Sequence, residues 1–250
     1  MKDTPARLRM FAGPNGSGKS TIKSVIDSTL LGMYLNPDEI EDKIRKEGVL
    51  DLTAYQIQTN AKEILHFFAH SPLLEKADLG DSVRSLRFVD NRLLFQKVKI
   101  NAYFASIAVA FIRNKLVEHK KSFTIETVMS SPDKIELLRE AQRVGYRTYL
   151  YYVATEDPDI NISRIQHRVK MGGHSVPEDK IVTRYHRSLD LLVEAIQCSH
   201  RAYIFDNSSH EHIWLAEITS GVSLEMKASP MPSWFKNAVW NKFDIKEKKE

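Results

Sequence analysis

Gly13-Pro14-Asn15-Gly16-Ser17-Gly18-Lys19-Ser20 is the stretch on which the reading of this chain turns. It fits the spacing G-x-x-x-x-G-K-[ST] at every position. Leu8 to Ala12 before it reads as a short strand, and Thr21 to Leu30 after it reads as a helix. Strand, glycine loop and helix in that order predict a phosphate-binding loop. Glycines at these positions let successive backbone N–H groups turn towards an anion. The helix behind the loop adds its unsatisfied N-terminal donors and the positive end of its dipole. Lys19 is expected on the β- and γ-phosphates of a nucleoside triphosphate, and the Ser20 hydroxyl on Mg²⁺, with Thr21 beside it.

Around the loop the composition is that of an ordinary globular protein. Of 250 residues, 42% are apolar and 27% charged, enough to bury a core without disulfides. The single cysteine, Cys198, cannot form an intrachain bridge and has no metal-ligand spacing beside it, which suits a reducing, cytoplasmic setting. The first nine residues lack the apolar core of a signal peptide. The longest apolar run, Ala102 to Ile112, is bounded by Lys99 and Arg113 and is too short to span a bilayer. It reads as a buried helix. The net charge of +4 suits a polyphosphate site and does not by itself point to nucleic acid. Neither basic cluster, Lys115–Lys121 or Lys246–Lys249, interleaves aromatics for base stacking.

Short apolar runs at Leu8–Ala12, Met33–Asn36, Ser122–Glu126, Thr148–Ala154 and Ala202–Asp206 read as buried strands, with helical patterns between them. That alternation predicts an α/β fold: a P-loop NTPase with a doubly wound, mainly parallel sheet flanked by helices. Residues 53–119 show helical patterns without a convincing strand and read as a helical insertion. Ser220-Gly221 between two apolar runs predicts a C-terminal hairpin. No repeat or low-complexity linker divides the chain, so residues 1–250 are expected to form one domain.

Binding ATP leaves the reaction open. The chain has no Leu-Ser-Gly-Gly signature of a transporter ATPase and no Asn-Lys-x-Asp of a switch GTPase. A small-molecule kinase needs less: the loop, an acid for the acceptor hydroxyl, a second carboxylate near the metal, and arginines. Asp38, after the second strand, can accept the proton of an attacking hydroxyl; it also forms a capping-box pattern with Glu41. Glu126, ending the third strand with Thr127 after it, must be solvated, paired or near a metal, or else cap the helix near Pro132. Arg164 and Arg168 share a helix face, where like charges cost about 0.2–0.5 kcal/mol unless an anion lies between them. Gly172-Gly173 behind them suggests a lid that lowers arginines onto the phosphates. Arg184 and Arg187 can add to the cluster.

These pieces in this order resemble the zeta-toxin-like P-loop kinases. The resemblance rests on the loop with Thr21, Asn36-Pro37-Asp38-Glu39-Ile40, Phe123-Thr124-Ile125-Glu126-Thr127 and Gly145-Tyr146. It continues through Arg164, Arg168-Val169, Gly172-Gly173-His174 and Asp206-Asn207-Ser208. It implies a kinase using ATP and Mg²⁺, in a family where some members phosphorylate UDP-N-acetylglucosamine. By the same resemblance Asp38 is the general base and Glu126 with Thr127 binds the acceptor; the strand-end position of Glu126 also suits the water shell of Mg²⁺. Arg164 and Arg168 are the lid arginines, Asp206-Asn207 lies near the adenine, and an antitoxin-like protein is a conceivable partner. Two other classes fit the loop: a regulatory ATPase acting on a protein partner, and a polynucleotide 5′-hydroxyl kinase.

Overall fold

Leu8 and Met10, then Thr148, Leu150 and Tyr152, then Ala202 and Ile204 are fully buried at alternate positions along three neighbouring strands of the main sheet. This pattern organises the computed structural model, which describes residues 4–96, 98–173 and 175–243. The chain forms two compact units, one made of the chain up to Gly32 and from Ser122 onward, the other of Met33–Lys121.

In the first unit the strands lie in the order Ser223–Met226, Ile213–Thr219, Arg201–Asp206, Arg147–Ala154, Arg7–Ala12, Phe123–Thr127. The phosphate-loop strand, Arg7–Ala12, pairs in parallel with Phe123–Thr127 on one side and Arg147–Ala154 on the other. Arg147–Ala154 pairs in parallel with Arg201–Asp206. The last two strands are antiparallel and form the hairpin expected at Ser220-Gly221, where both residues have positive φ (53° and 69°), as its tight turn requires. The loop therefore leaves the sheet between the carboxyl ends of two parallel neighbours, the place where such folds bind ligands.

On one face Tyr152 meets Trp234 of the short helix Ser233–Ala238 and Ser188 of the helix Glu178–Asp190. On the other face Phe11 and Val153 close over Ile22, with Ile26, Leu31, Tyr151 and Phe205 against them. The helix expected over Thr21–Leu30 is two helices, Lys19–Ser24 and Ser28–Leu31. Asp27 causes the break: its carboxylate accepts from the backbone N–H of Thr29 at 2.9 Å and so caps a new helix instead of continuing the old one.

The second unit opens with the strand Met33–Leu35 and the helix Pro37–Glu47. Its longest helix, Ala102–Glu118, is capped by Asn101 and buries Phe104, Ile107, Ala108, Phe111 and Ile112, as the apolar run predicts. The region is mainly helical, but Arg87–Val89 and Arg92–Leu94 add an antiparallel hairpin that joins Val49–Asp51 in a small sheet. Its turn, Asp90-Asn91, has positive φ at both residues (48° and 61°) without a glycine, which is why a glycine-keyed reading passes over it. No helix among the described residues is long and apolar enough to cross a membrane.

Candidate active site

Lys19 is 8% exposed, and its Nζ donates to the carbonyls of Gly13 (2.9 Å) and Pro14 (3.0 Å). The ammonium thus lies inside the curl of the loop, where it can meet a polyphosphate. Ser20 and Thr21 stand exposed on the first turn of the helix Lys19–Ser24.

Two of the loop glycines are there because neighbouring residues come too close for a side chain. A Cβ on Gly16, which has φ +77°, would lie 2.7 Å from the carbonyl oxygen of Asn161. A Cβ on Gly18, with φ +95°, would lie 2.0 Å from Nδ2 of Asn207. Both asparagines also bond the loop: Asn161 Nδ2 donates to the carbonyl of Asn15 at 2.5 Å, and Asn207 Nδ2 to that of Ser17 at 2.8 Å. Asn161 is held in turn by the Thr155 hydroxyl, and the Tyr185 hydroxyl donates to the Thr155 carbonyl at 2.6 Å. Burial raises the pKa of Tyr185, and the nearby carboxylates of Glu156, Asp157 and Asp206 push it further the same way, so it stays a neutral donor.

The arginine helix is Pro158–Lys170, begun by Asp157, whose side chain accepts from Asp159 N at 2.8 Å. Asn161, Arg164 and Arg168 stand at i, i+3 and i+7, on one face. Arg164 Nη2 donates to the Ser209 carbonyl at 3.2 Å, while its Nη1 is buried with no hydrogen-bond partner in the protein. The fully buried Ser17 hydroxyl is in the same state. Two buried donors without acceptors beside a phosphate loop fit an anionic ligand. Arg168 is exposed near the helix end. Gly173 packs beneath it: the Gly173 N–H donates to the Arg168 carbonyl at 3.0 Å, and a Cβ there would lie 2.7 Å from Arg168 Cγ. The Gly-Gly pair therefore ends the helix against the arginine stem. Of the other candidates, Arg184 reaches Asn15 Oδ1 at 3.5 Å and Arg187 is exposed. His174 lies outside the described residues.

Glu126 and Thr127 end the strand beside the loop strand, in register with Phe11 and Ala12. Glu126 is half-buried, and the helix Asp133–Arg143 has Pro132 at its N-cap, which offers no side-chain cap bond. Thr127 Oγ1 accepts from Met129 N at 3.1 Å. Asp206 accepts from Trp234 Nε1 at 2.8 Å and from the Ser208 hydroxyl at 2.7 Å. Asp38 belongs to the other unit and is exposed in the first turn of Pro37–Glu47. The cap of that helix is Asn36, which accepts from Asp38 N at 2.9 Å, and Glu41 pairs with Arg45. Neither half of the expected capping box is used, and the Asp38 carboxylate is not committed to a cap.

The zeta toxin family model matches residues 94–219, about half of the chain. The chain belongs to the zeta toxin family. It is a P-loop kinase that binds ATP, and the phosphate loop lies ahead of the matched segment. An uncharacterized protein of Haemophilus influenzae is 25% identical over 183 residues, which cover 70% of this chain and 89% of that protein. The AvrRxo1-ORF1:-ORF2 complex solved with ATP has a similar fold, with TM-score 0.54 and 12% identity; the likeness covers 90% of this chain and 61% of that one. A structure from the PezAT toxin–antitoxin system of Streptococcus pneumoniae gives TM-score 0.49 and 14% identity, over 97% of this chain and 79% of that one.

Asn161, Thr155 and Tyr185 are the site residues that sequence reasoning missed. For Asn161 a signal was present: it precedes Arg164 by three residues and so shares the arginine face. Nothing in the sequence marks the other two.

Proposed function

We propose that this zeta toxin family kinase transfers the γ-phosphoryl group of MgATP to a hydroxyl of a small acceptor of the nucleotide-sugar class. The observation that carries this reading is the set of donors gathered at one loop: Lys19 in its curl, and the buried Ser17 hydroxyl and Arg164 Nη1 without protein acceptors. As the acceptor oxygen bonds to the γ-phosphorus, the bond to the bridging oxygen of ADP breaks. Charge then spreads over the phosphoryl oxygens, and Lys19, Arg164 and Arg168 stabilise it. The hydroxyl proton passes to Asp38, which acts as general base, while Glu126 and Thr127 orient the acceptor. The oxygen donors of Ser20 and Glu126 suit a hard cation, the latter through water. Mg²⁺ there would neutralise phosphate charge. The solved pairing of AvrRxo1-ORF1 with ORF2 motivates a further proposal, that a protein partner restrains this chain too.

The test is transfer from γ-labelled ATP into a panel of UDP-sugars, nucleosides and 5′-hydroxyl oligonucleotides. Labelled UDP-sugar that disappears with Asp38→Asn, while ATP affinity stays within about twofold, is the expected result. Label released only as free phosphate would replace this reading with the regulatory ATPase. Lys19→Ala should weaken ATP binding at least tenfold, about 1.4 kcal/mol.

A further inference from the structure

A phosphate loop works only if its N–H groups face the anion, and so the carbonyls that do not meet the loop lysine must face away. Carbonyls turned into protein need donors, because a buried carbonyl left unpaired loses its hydrogen bond to water and gains nothing in return. Here the donors come from two separate elements. Asn207, 8% exposed at the end of the strand Arg201–Asp206, gives its amide to the Ser17 carbonyl. Asn161, fully buried in the first turns of the helix Pro158–Lys170, gives its amide to the Asn15 carbonyl. Each amide or its backbone occupies the space that Gly18 or Gly16 leaves open, so loop and clamp fit each other in shape as well as in hydrogen bonding. Both asparagines are themselves fixed. The Asn207 N–H donates to the Ala154 carbonyl at 2.8 Å, and Thr155 holds Oδ1 of Asn161.

We infer that Asn161 and Asn207 are the positioning residues of the phosphate loop, a pair of amide clamps that hold the Asn15 and Ser17 carbonyls outward. Asn161 has a second consequence. It rides on the helix that carries Arg164 and Arg168, so it ties the arginines to the loop through a direct bond. Arg164 is anchored from the far side by the Ser209 carbonyl, two residues beyond Asn207. Loop, arginine helix and the segment 207–209 therefore form one braced cradle. Asn207 acts on the phosphates through the loop and not on the adenine. The inference rests on the proposed ATP site.

The experiment displaces a fluorescent ATP analogue with ATP and, separately, with inorganic tripolyphosphate, which engages the loop but has no base. Wild type, Lys19→Ala, Asn207→Ala and Asn161→Ala are compared, with thermal melting of each as the folding control. Removal of either amide should weaken ATP and tripolyphosphate by the same factor, about tenfold. A residue that merely supports the fold would lower the melting temperature and leave both affinities unchanged, and that result would overturn the inference. Loss of ATP affinity with tripolyphosphate unaffected would overturn it too, by returning Asn207 to the adenine. If Asn207→Ala does not fold, Asn161→Ala, on a different element, carries the same expectation. Failure of the underlying reading looks different: Lys19→Ala would then bind both ligands as well as wild type.

Discussion

Asn161 and His200 show what single residues contribute that a motif does not announce. The loop lysine, the glycines and the two arginines are legible because their chemistry forces residue type and spacing. Asn161 and Asn207 are harder to read because an asparagine amide looks the same in a sequence whether it caps a helix or clamps a loop. His200 is another such case, and here the physics gives a prediction. Its Nδ1 accepts from the Thr148 backbone N–H at 3.1 Å, joining two neighbouring strands ahead of their buried segments. Burial lowers its pKa from the ordinary 6.5, and the positive charge of Arg147 lowers it further. The folded state therefore binds the proton less well than the unfolded chain. The resulting stability is fully present above pH 6.5 and is lost as pH falls through the lower folded value. Melting temperature should drop more steeply below pH 6.5 in wild type than in His200→Asn, whose amide oxygen can accept without titrating. Parallel pH profiles for the two proteins would remove His200 from the acid response.

At the scale of elements, hydrophobic runs located the main strands to within about a residue, since buried parallel strands have few other ways to be written. They concealed how unequal the two faces are. Tyr151 and Tyr203 are in register with Phe11 and stack with ring centroids 4.7 and 5.0 Å apart, and Arg9 lies 5.4 Å over the Tyr149 ring. Aromatic bulk makes these positions look like the rest of a run, although they belong to the opposite face, where Tyr151 packs against Phe11, Ile22 and Val153. Element boundaries set by one carboxylate or amide were missed for a related reason: Asp27 acts through a local hydrogen bond to Thr29 that competes with the longer pattern, and Asn91 donates to the carbonyl of Ile57, a partner distant in sequence. Asp157 belongs to the same class and controls the arginine helix. Asp157→Ala should cost about 1 kcal/mol, or roughly 2–4 °C in melting temperature. Because Asn161 and Arg164 lie within two turns of that cap, the KM for ATP should rise as well. A stability loss with unchanged KM would mean the cap supports the helix without setting the arginines.

For the molecule as a whole, the sequence gives no compositional step at Gly32 or Ser122, the two points where the chain leaves and re-enters the first unit. The structure shows why that division is compatible with an intact sheet. Gly32, with φ +63°, packs so closely on Ser122 that a Cβ would lie 2.7 Å from its carbonyl, so the two junctions are side by side. A segment whose ends meet can be long without parting the strands that flank it. The family match at residues 94–219 crosses the second junction, yet the glycine loop Gly13–Ser20 precedes it. The proposed ATP site draws on residues from Gly13 to Ser209, so stability should be linked to ligand across that span. At an ATP concentration of about 100 times its Kd, binding should stabilise the folded chain by about 2.7 kcal/mol, roughly 5–10 °C in melting temperature. Calorimetric scans with and without MgATP test this directly. The shift should vanish in Lys19→Ala and shrink in Asn161→Ala and Asn207→Ala in proportion to their lost affinity. A full shift in Lys19→Ala would mean that the stabilising ligand sits somewhere other than the phosphate loop.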